Sequence, residues 1–302
     1  MRTSWALALV VSATLLTSCA NGTTERAAAP TARPSATTTS PVPTASASPD
    51  PADPATPADP ATLADQLDRA VATVTDPKAG LDAVRRAGET QQLAIRTLAR
   101  GSAQLRRTVL AGLRPMAARQ TRAQLEAARL LTVITEPRRQ FPPWRILEPP
   151  PADVLLGYYR EAQRRTGVPW TYLAAIHLVE TRMGRIRGPS TAGALGPMQF
   201  MPATWDRYGA GGDINDPRDA IMAAARLLAD HGAPRDMATA LWHYNNSDKY
   251  VGAVTAYART MQDSPATYRG YWSWQVFCQL RRGAFVLPVG YPHVRPVPLP
   301  AG

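Results

Sequence analysis

One glutamate, Glu180, stands where a carboxyl group is energetically unfavourable, which makes it the first candidate for chemistry. It ends an apolar segment, residues 168–180, whose composition and Pro169 near its start favour a helix. Leu173 and Ile176 fall within roughly 40° of Glu180 on a helical wheel, so the carboxyl group should lie in an apolar stripe that faces the core. Burial and the negative end of the helix dipole both disfavour the charged form. The position predicts a raised pKa and a general acid that works near neutral pH.

A second interpretation of Glu180 is structural. Arg182, Arg185 and Arg187 follow it closely in the sequence. An ion pair with one of them would keep the carboxylate charged and would give it no part in catalysis. The helix alone does not decide between the two interpretations.

A loop rich in small residues, 190–202, is the first stretch that could form a site with Glu180. No Gly-Lys-Ser/Thr follows it, so it is not a phosphate-binding loop. Its small residues let the backbone approach a ligand closely. Gln199 offers a donor and an acceptor and Phe200 a flat apolar face, which are the groups needed to bind the amides and hydroxyls of a sugar. The alternative is a tight turn with a purely structural role.

A second stretch, residues 242–247, contains the pair Tyr244-Asn245 near the expected end of a helix. Such a pair could hold a neighbouring carboxylate or an amide of a substrate. Asn and Ser also commonly cap and end helices, so this stretch on its own is compatible with a structural role.

Together these stretches resemble the lytic transglycosylases. The resemblance rests on Glu-Thr-Arg-Met-Gly-Arg at 180–185, on the loop from Ser190 to Trp205, on Asp-Ile-Asn-Asp-Pro-Arg-Asp-Ala-Ile at 213–221, and on Tyr244-Asn245. The order and spacing of four separate motifs hold, and the similar region covers about residues 141–291. The most similar branch is the membrane-bound B type, which has a goose-lysozyme-like fold.

The resemblance implies roles for individual residues. Glu180 matches the single catalytic acid/base of that family. Five further positions match residues that contact the substrate or flank the catalytic carboxyl: Ser190, Gln199, Phe200, Tyr244 and Asn245. The implied substrate is the peptidoglycan glycan strand. The implied reaction joins the 6-hydroxyl of muramic acid to its own C1, with help from the sugar's N-acetyl group, and uses no water.

Two alternatives stay open. No other acidic residue occurs between Glu180 and Asp206, whereas ordinary glycosidases need two carboxyl groups flanking the bond. A hydrolytic muramidase of the same fold would therefore need a more distant aspartate, such as Asp206 or Asp213, to position water. The other alternative is a peptidoglycan-binding lipoprotein without catalysis, for which a carboxyl group on an apolar helix face has no use.

The N-terminus indicates export. An apolar stretch from Trp5 to Leu16 follows Arg2 and ends in Leu-Thr-Ser-Cys19, which resembles the lipobox of bacterial lipoproteins. It is too short to span a bilayer as a mature helix. We expect residues 1–18 to be removed, Cys19 to carry lipid, and the protein to be held at the outer face of the cell membrane. An ordinary secretory signal with an incidental cysteine is the alternative. If Cys19 carries lipid it cannot pair with Cys278, which would then be a lone thiol; its apolar surroundings favour a buried small hydrophobe.

The rest of the chain divides by composition. Residues 19–62 are almost entirely Ala, Thr, Pro, Ser and Asp, which predicts a disordered tether. Residues 63–140 are expected to form a basic helical region. Its arginines either contact an anionic partner or form a solvated helix face. Residues 141–293 predict the lysozyme-like domain and 294–302 a proline-rich tail. The fold class is all-α, because no strand pattern of any length stands out.

The expected helices are set by apolar spacing and by Gly, Pro and capping residues. Asp153 and the pair Asp216-Pro217 are expected to begin two of them. The predicted ranges are about 63–74, 81–113, 117–135, 153–166, 168–184, one opening at 202, 217–231, 235–245 and 250–263, with the segment from Phe285 onward wrapping the surface.

The composition also excludes some classes of protein. The net charge is +11, and Lys78 and Lys249 are the only lysines. This balance favours an anionic partner, but no helix-turn-helix, zinc-finger or RNA-binding signature accompanies it, so a nucleic acid is not expected. The four histidines and two cysteines show no metal-ligand spacing, and residues 213–216 lack the spacing and glycine of a calcium loop. We expect a monomer with no metal or cofactor.

Overall fold

The computed structural model describes residues 59–299, which fall within one compact unit. About 60% of these residues are helical, and the domain is lysozyme-like, as the sequence predicts. The predicted signal peptide, Cys19 and nearly all of the tether lie outside the described residues. No helix between residues 59 and 299 is long and apolar enough to cross a membrane.

Four helices form the N-terminal part of the described chain: α1 (Pro60–Thr75), α2 (Leu81–Arg100), α3 (Ala103–Gly112) and α4 (Pro115–Ile134). The Asp59 side chain accepts a hydrogen bond from the backbone N–H of Thr62 and caps α1. The helix predicted over 81–113 is in fact two helices. Ser102 accepts from the backbone N–H of Leu105 and so begins α3 as a separate element.

The next two helices carry the catalytic candidate: α5 (Ala152–Thr166) and α6 (Trp170–Thr181). The predicted cap Asp153 lies instead inside the first turn of α5, where its charge still suits the helix dipole. Residues 171–178 of α6 are all buried. The helix is therefore buried on every side over these two turns, and the prediction of a single apolar stripe is wrong. The helix packs against α5, α8 and α10, which surround it.

Five helices follow: α7 (Pro202–Tyr208), α8 (Pro217–Asp230), α9 (Met237–Tyr244), α10 (Asp248–Asp263) and α11 (Thr267–Trp272). The predicted cap at Asp216 is confirmed, since its side chain accepts from the backbone N–H groups of Arg218 and Asp219. Helix α10 begins two residues earlier than predicted, because the Ser247 hydroxyl accepts from the backbone N–H of Tyr250 and caps it.

Short strands are the feature that the sequence analysis missed. They are β1 (Arg145–Ile146), β2 (Ile186–Arg187), β3 (Val276–Leu280), β4 (Gly283–Leu287) and β5 (Val297–Pro298). Strands β1 and β2 pair with each other, and β3-β4-β5 form an antiparallel sheet in that order. Phe285 to Leu287 therefore belong to β4 rather than to a surface tail. A strand of only five residues gives too short an alternation to be recognised.

Three apolar clusters hold these elements. The largest surrounds α6, a second joins α1 to α4, and a third lies beneath the β3–β4 hairpin. Helix α4 contributes to the first two, since Leu125 packs in the N-terminal cluster and Ala127 in the cluster around α6. The boundary predicted at residue 140 stays a prediction, although α4 packs across it against α10.

Candidate functional site

Glu180 lies near the C-terminus of α6, partly exposed to a cavity. The hydroxyl of Tyr250, from the first turn of α10, donates a hydrogen bond of 2.7 Å to its Oε1 atom. Burial raises the pKa of Glu180 to about 7, and the hydrogen bond from Tyr250 opposes that rise. The protonated carboxyl group that a general acid requires is therefore available near neutral pH.

The ion-pair interpretation of Glu180 does not hold within residues 59–299. Arg182 donates to the backbone carbonyl of Leu178, Arg185 pairs with Glu148, and Arg187 donates to the carbonyl of Asn215. No arginine in this part of the chain forms an ion pair with Glu180.

The turn after α6 positions Glu180 at the cavity. The helix ends at Thr181, three residues before the predicted end, because Arg182 and Met183 adopt the left-handed conformation (φ 53° and 60°). Backbone N–H groups of these two residues bond back to the carbonyls of Leu178 and His177, which satisfies the open helix end.

Thr181 joins this turn to the loop predicted to bind the ligand. Its hydroxyl donates to the carbonyl of Pro197 at 2.6 Å and accepts from the backbone N–H of Gly184 at 3.1 Å. Both bonds are buried. One side chain therefore fixes the distance between the end of α6 and the loop beside Glu180.

The loop itself is ordered by its own polar groups. The Ser190 hydroxyl accepts from the backbone N–H groups of Ala192 and Ala194, at 3.2 and 2.9 Å. Gln199 has a φ of 51°, and its Nε2 donates to the carbonyl of Gly196 at 2.9 Å. A Cβ atom at position 196 would lie 1.9 Å from the backbone oxygen of Ile214, so only glycine fits there.

Phe200 is largely buried, with 3% of its surface exposed. Its ring meets Trp205 and Tyr244 edge to face, at centroid distances of 5.5 and 5.9 Å. The flat face expected for a sugar is therefore mostly occupied by the protein's own aromatic rings, and Phe200 reaches only the smaller of the two cavities described below.

Tyr244 and Asn245 lie where α9 ends. The Tyr244 hydroxyl donates to the carbonyl of Met198 at 2.7 Å, so it holds the loop rather than the carboxyl group. Its ring stacks parallel to that of Tyr250, with centroids 6.4 Å apart. Tyr250, which the motif search missed, takes the contact with Glu180 that was expected of the Tyr-Asn pair.

Two cavities meet at Glu180. The larger has a volume of about 230 Å³ and the smaller about 50 Å³. Of the six candidates from the sequence, four line both cavities: Glu180, Ser190, Gln199 and Asn245. The other two, Phe200 and Tyr244, line only the smaller one. The fold thus brings the other five candidates together around the carboxyl group of Glu180.

The far wall of the larger cavity comes from segments that no motif indicated. It consists of Leu131, Ile134, Thr135, Glu136 and Arg138, at and beyond the end of α4, of residues 276–279 of β3, and of Trp144. Glu136 belongs to this wall, whereas Asp206 and Asp213 line neither cavity. These segments are distant in sequence from Glu180. The packing of α4 on α10 and the backbone hydrogen bonds of Arg138 to Gln279 and Arg281 hold them together.

No group of three or more His, Cys, Asp or Glu side chains suited to a metal ion occurs within residues 59–299. The segment 213–216, which lacks the spacing of a calcium loop, is held by its own turn: Asp213 accepts from the backbone N–H of Asn215, and Asp219 accepts from that of Asp213.

Comparison with known proteins places this geometry in a class. Residues 157–266 match the family model described as the transglycosylase SLT domain. The match contains Glu180, the loop, the Tyr-Asn pair and Tyr250. This match supports a domain of the lytic transglycosylase type, and at the level of that family it supports activity on peptidoglycan. The searches of curated proteins and of solved structures gave no match.

Proposed function

We propose that this protein is a peptidoglycan lytic transglycosylase that cleaves the bond between N-acetylmuramic acid and N-acetylglucosamine and leaves a 1,6-anhydromuramic end. One observation carries the proposal. Glu180, with a pKa of about 7, is hydrogen-bonded by Tyr250 at the junction of two cavities lined by polar groups that suit a sugar.

The reaction needs one carboxyl group used twice. Protonated Glu180 gives its proton to the glycosidic oxygen as the bond to C1 breaks, while the carbonyl of the sugar's N-acetyl group stabilises C1. The resulting carboxylate then takes the proton of the 6-hydroxyl, whose oxygen bonds to C1. Atoms balance without water, and Glu180 ends protonated as it began. Ser190, Gln199 and Asn245 hold the amide and hydroxyl groups of the sugar.

Hydrolysis by the same fold is the second candidate, and Glu136 favours it. This carboxylate lines the cavity that Glu180 lines, so it replaces Asp206 and Asp213 as the group that would activate water. Glu136 is exposed and forms no ion pair within residues 59–299. The transglycosylase assignment therefore predicts that Glu136→Gln keeps most of the activity, and hydrolysis predicts its loss.

The test of the catalytic assignment is Glu180→Gln. The amide keeps the size of the side chain and still accepts from Tyr250, but it cannot give and take a proton. Release of soluble fragments from purified peptidoglycan should fall by at least roughly a hundredfold, the usual contribution of acid–base catalysis. Sedimentation with peptidoglycan should show retained binding. A variant that stays active would remove Glu180 from the mechanism, and a wild type that binds without cleaving would favour the non-catalytic binding lipoprotein.

We further propose that the protein is an exported monomer, anchored at the outer face of the membrane through lipid on Cys19 and most similar to the membrane-bound B type. Support comes from the lipobox-like Leu-Thr-Ser-Cys19 and from a family whose substrate lies in the cell wall. Cys19→Ala should move the protein from the membrane fraction to the soluble exported fraction. Unchanged fractionation would exclude the anchor.

A further inference from the structure

A fully buried histidine packs beneath the turn that ends α6, and the proposed reaction gives it no part. His177 lies three residues before Glu180 and has no exposed surface. Its backbone carbonyl accepts from the N–H of Met183 at 3.1 Å. A Cβ atom at Gly184 would lie 3.2 Å from its Nε2 atom, so the imidazole packs directly against the turn. His177 therefore contacts two residues of the turn that positions Glu180.

The side chain of His177 begins a short chain of hydrogen bonds that ends at the same turn. Its Nδ1 atom lies 2.6 Å from the hydroxyl oxygen of Tyr159, which comes from α5. The Tyr159 hydroxyl in turn lies 3.4 Å from the sulfur of Met183. Tyr159 and Met183 are also completely buried, so bulk water cannot reach either contact.

The position of the proton on the imidazole follows from counting donors and acceptors. Burial and the charge of Arg187 lower the pKa of His177 to about 3, and burial raises the pKa of Tyr159, so both groups are neutral near neutral pH. A proton on Nε2 would leave a buried N–H without a partner among residues 59–299. With the proton on Nδ1, His177 donates to Tyr159, and the Tyr159 hydroxyl donates to Met183. Every donor of the chain then has an acceptor.

The chain ends on a residue whose backbone is strained. Met183 has a φ of 60°, a left-handed conformation that a residue other than glycine keeps only where its surroundings hold it. Its sulfur accepts from Tyr159 and its N–H donates to the carbonyl of His177, so contacts fix both its side chain and its backbone. If this turn relaxed, α6 would lose the sharp end that places Glu180 at the cavity.

We propose that His177, protonated on Nδ1, is a positioning residue for Glu180 and acts through Tyr159 and Met183. The inference rests on the proposed function and deepens it, because it adds a buried support to the same site. None of the three supporting side chains lines either cavity at Glu180. Their effect on the reaction therefore passes through the turn and not through contact with the substrate.

Tyr159→Phe breaks the chain and keeps the ring. The relaxed turn should let water reach Glu180, which weakens the effect of burial on its pKa. The alkaline fall in activity should then move to lower pH, and kcat on soluble glycan strands should drop about tenfold while KM changes little. The other charged side chains that line the larger cavity, Glu136, Arg138 and Arg182, are the same in both proteins.

Tyr268→Phe is the matched control. The Tyr268 hydroxyl donates to the backbone carbonyl of Ala152 at 2.8 Å, and its ring meets that of Tyr159 edge to face at a centroid distance of 6.1 Å. The control thus loses a hydrogen bond from the same cluster and leaves the turn intact. Both variants should melt at a lower temperature, and only Tyr159→Phe should change the pH profile. An unchanged profile in Tyr159→Phe, or the same change in both variants, would overturn the inference.

A second pair of variants tests the role of the Nδ1 proton. In His177→Asn the side-chain amide can donate to Tyr159 from nearly the same position, whereas His177→Leu has no donor. The asparagine variant should keep the wild-type pH profile and most of kcat, and the leucine variant should behave like Tyr159→Phe. Equal activity of the two would contradict the assigned role.

Nitrogen NMR of the protein labelled with 15N-histidine observes the proton itself. The signals of His177 are those that disappear in His177→Asn, and they should show a protonated Nδ1 and a bare Nε2 near neutral pH. A proton on Nε2 would overturn the inference. Failure of the proposed function looks different, because the wild type would then leave peptidoglycan intact while the NMR result stayed the same.

Discussion

At the scale of the residue, the chemistry depends on how one carboxyl group is surrounded. Burial raises the pKa of Glu180 to about 7, and the hydrogen bond from the Tyr250 hydroxyl opposes that rise. No cation in the described chain stabilises its charge through an ion pair. The protonated form needed to begin the reaction is therefore abundant at neutral pH and is lost as the pH rises through about 7.

Tyr250→Phe tests how the hydrogen bond from Tyr250 offsets the effect of burial on the pKa of Glu180. The lost hydrogen bond favoured the carboxylate, so the pKa of Glu180 should rise in the variant. The alkaline fall in activity should then move to higher pH than in wild type. The maximal rate should drop roughly tenfold, because a hydrogen bond to a charged group is worth about 1.5–3 kcal/mol and also orients it. A pH–rate profile of both proteins measures this, and an alkaline limb that stays in place would exclude Tyr250 as a positioning residue.

Part of this site is predictable from the amino-acid sequence. An apolar helix that ends in a glutamate predicts burial and a raised pKa, and both are found for Glu180. The partner was not predictable in the same way. Tyr250 follows the Tyr-Asn motif by five residues in the next helix, and only the packing of α10 on α6 brings its hydroxyl to Glu180.

At the scale of the element, the turn after α6 and the loop beside it act as one unit. Thr181 bonds to both, through Pro197 and Gly184. The helix boundary was misjudged because the left-handed residues are Arg182 and Met183, which rarely adopt that conformation, whereas Gly184 is the usual signal for a helix end.

Thr181→Val should therefore loosen the site. The change keeps the shape but leaves the carbonyl of Pro197 and the N–H of Gly184 buried without their partner. We expect a loss of about 1–3 kcal/mol in the free energy of unfolding and a higher KM on soluble strands, measured by denaturant melts and kinetics. Thr171→Val, in the same helix, is the matched control, since the Thr171 hydroxyl is buried and has no partner. Equal effects of the two changes would contradict the assigned role.

The β3–β4 hairpin is the part of the fold that apolar patterns in the sequence do not predict. The sequence predicts most of the helices of ten or more residues. Their observed ends differ from the predicted ends by a few positions, where a capping residue or a proline sets the boundary. The β3–β4 hairpin was missed because five alternating residues next to an apolar run resemble a buried segment. Its pairing is fixed instead by the turn at Arg281-Arg282 and by contacts with Gln92 and Arg138.

At the scale of the whole molecule, the larger cavity is lined both by the region that matches the family model and by segments before and after it. The residues matched by the transglycosylase model supply Glu180, the loop and the Tyr-Asn pair. Helix α4 and the hairpin, which precede and follow that region, supply the opposite wall. The excess of arginine, with a net charge of +11, suits an acidic wall polymer.

The identity of the product tests the central claim most directly. Purified peptidoglycan digested by the wild-type protein should be analysed by mass spectrometry. We expect muramic ends that are lighter than the hydrolysis product by one water and that resist reduction by borohydride, because the 6-hydroxyl has closed on C1. Reducible muramic ends on most of the product would mean that water is the nucleophile. The protein would then be a muramidase, with Glu136 as the candidate second carboxyl group.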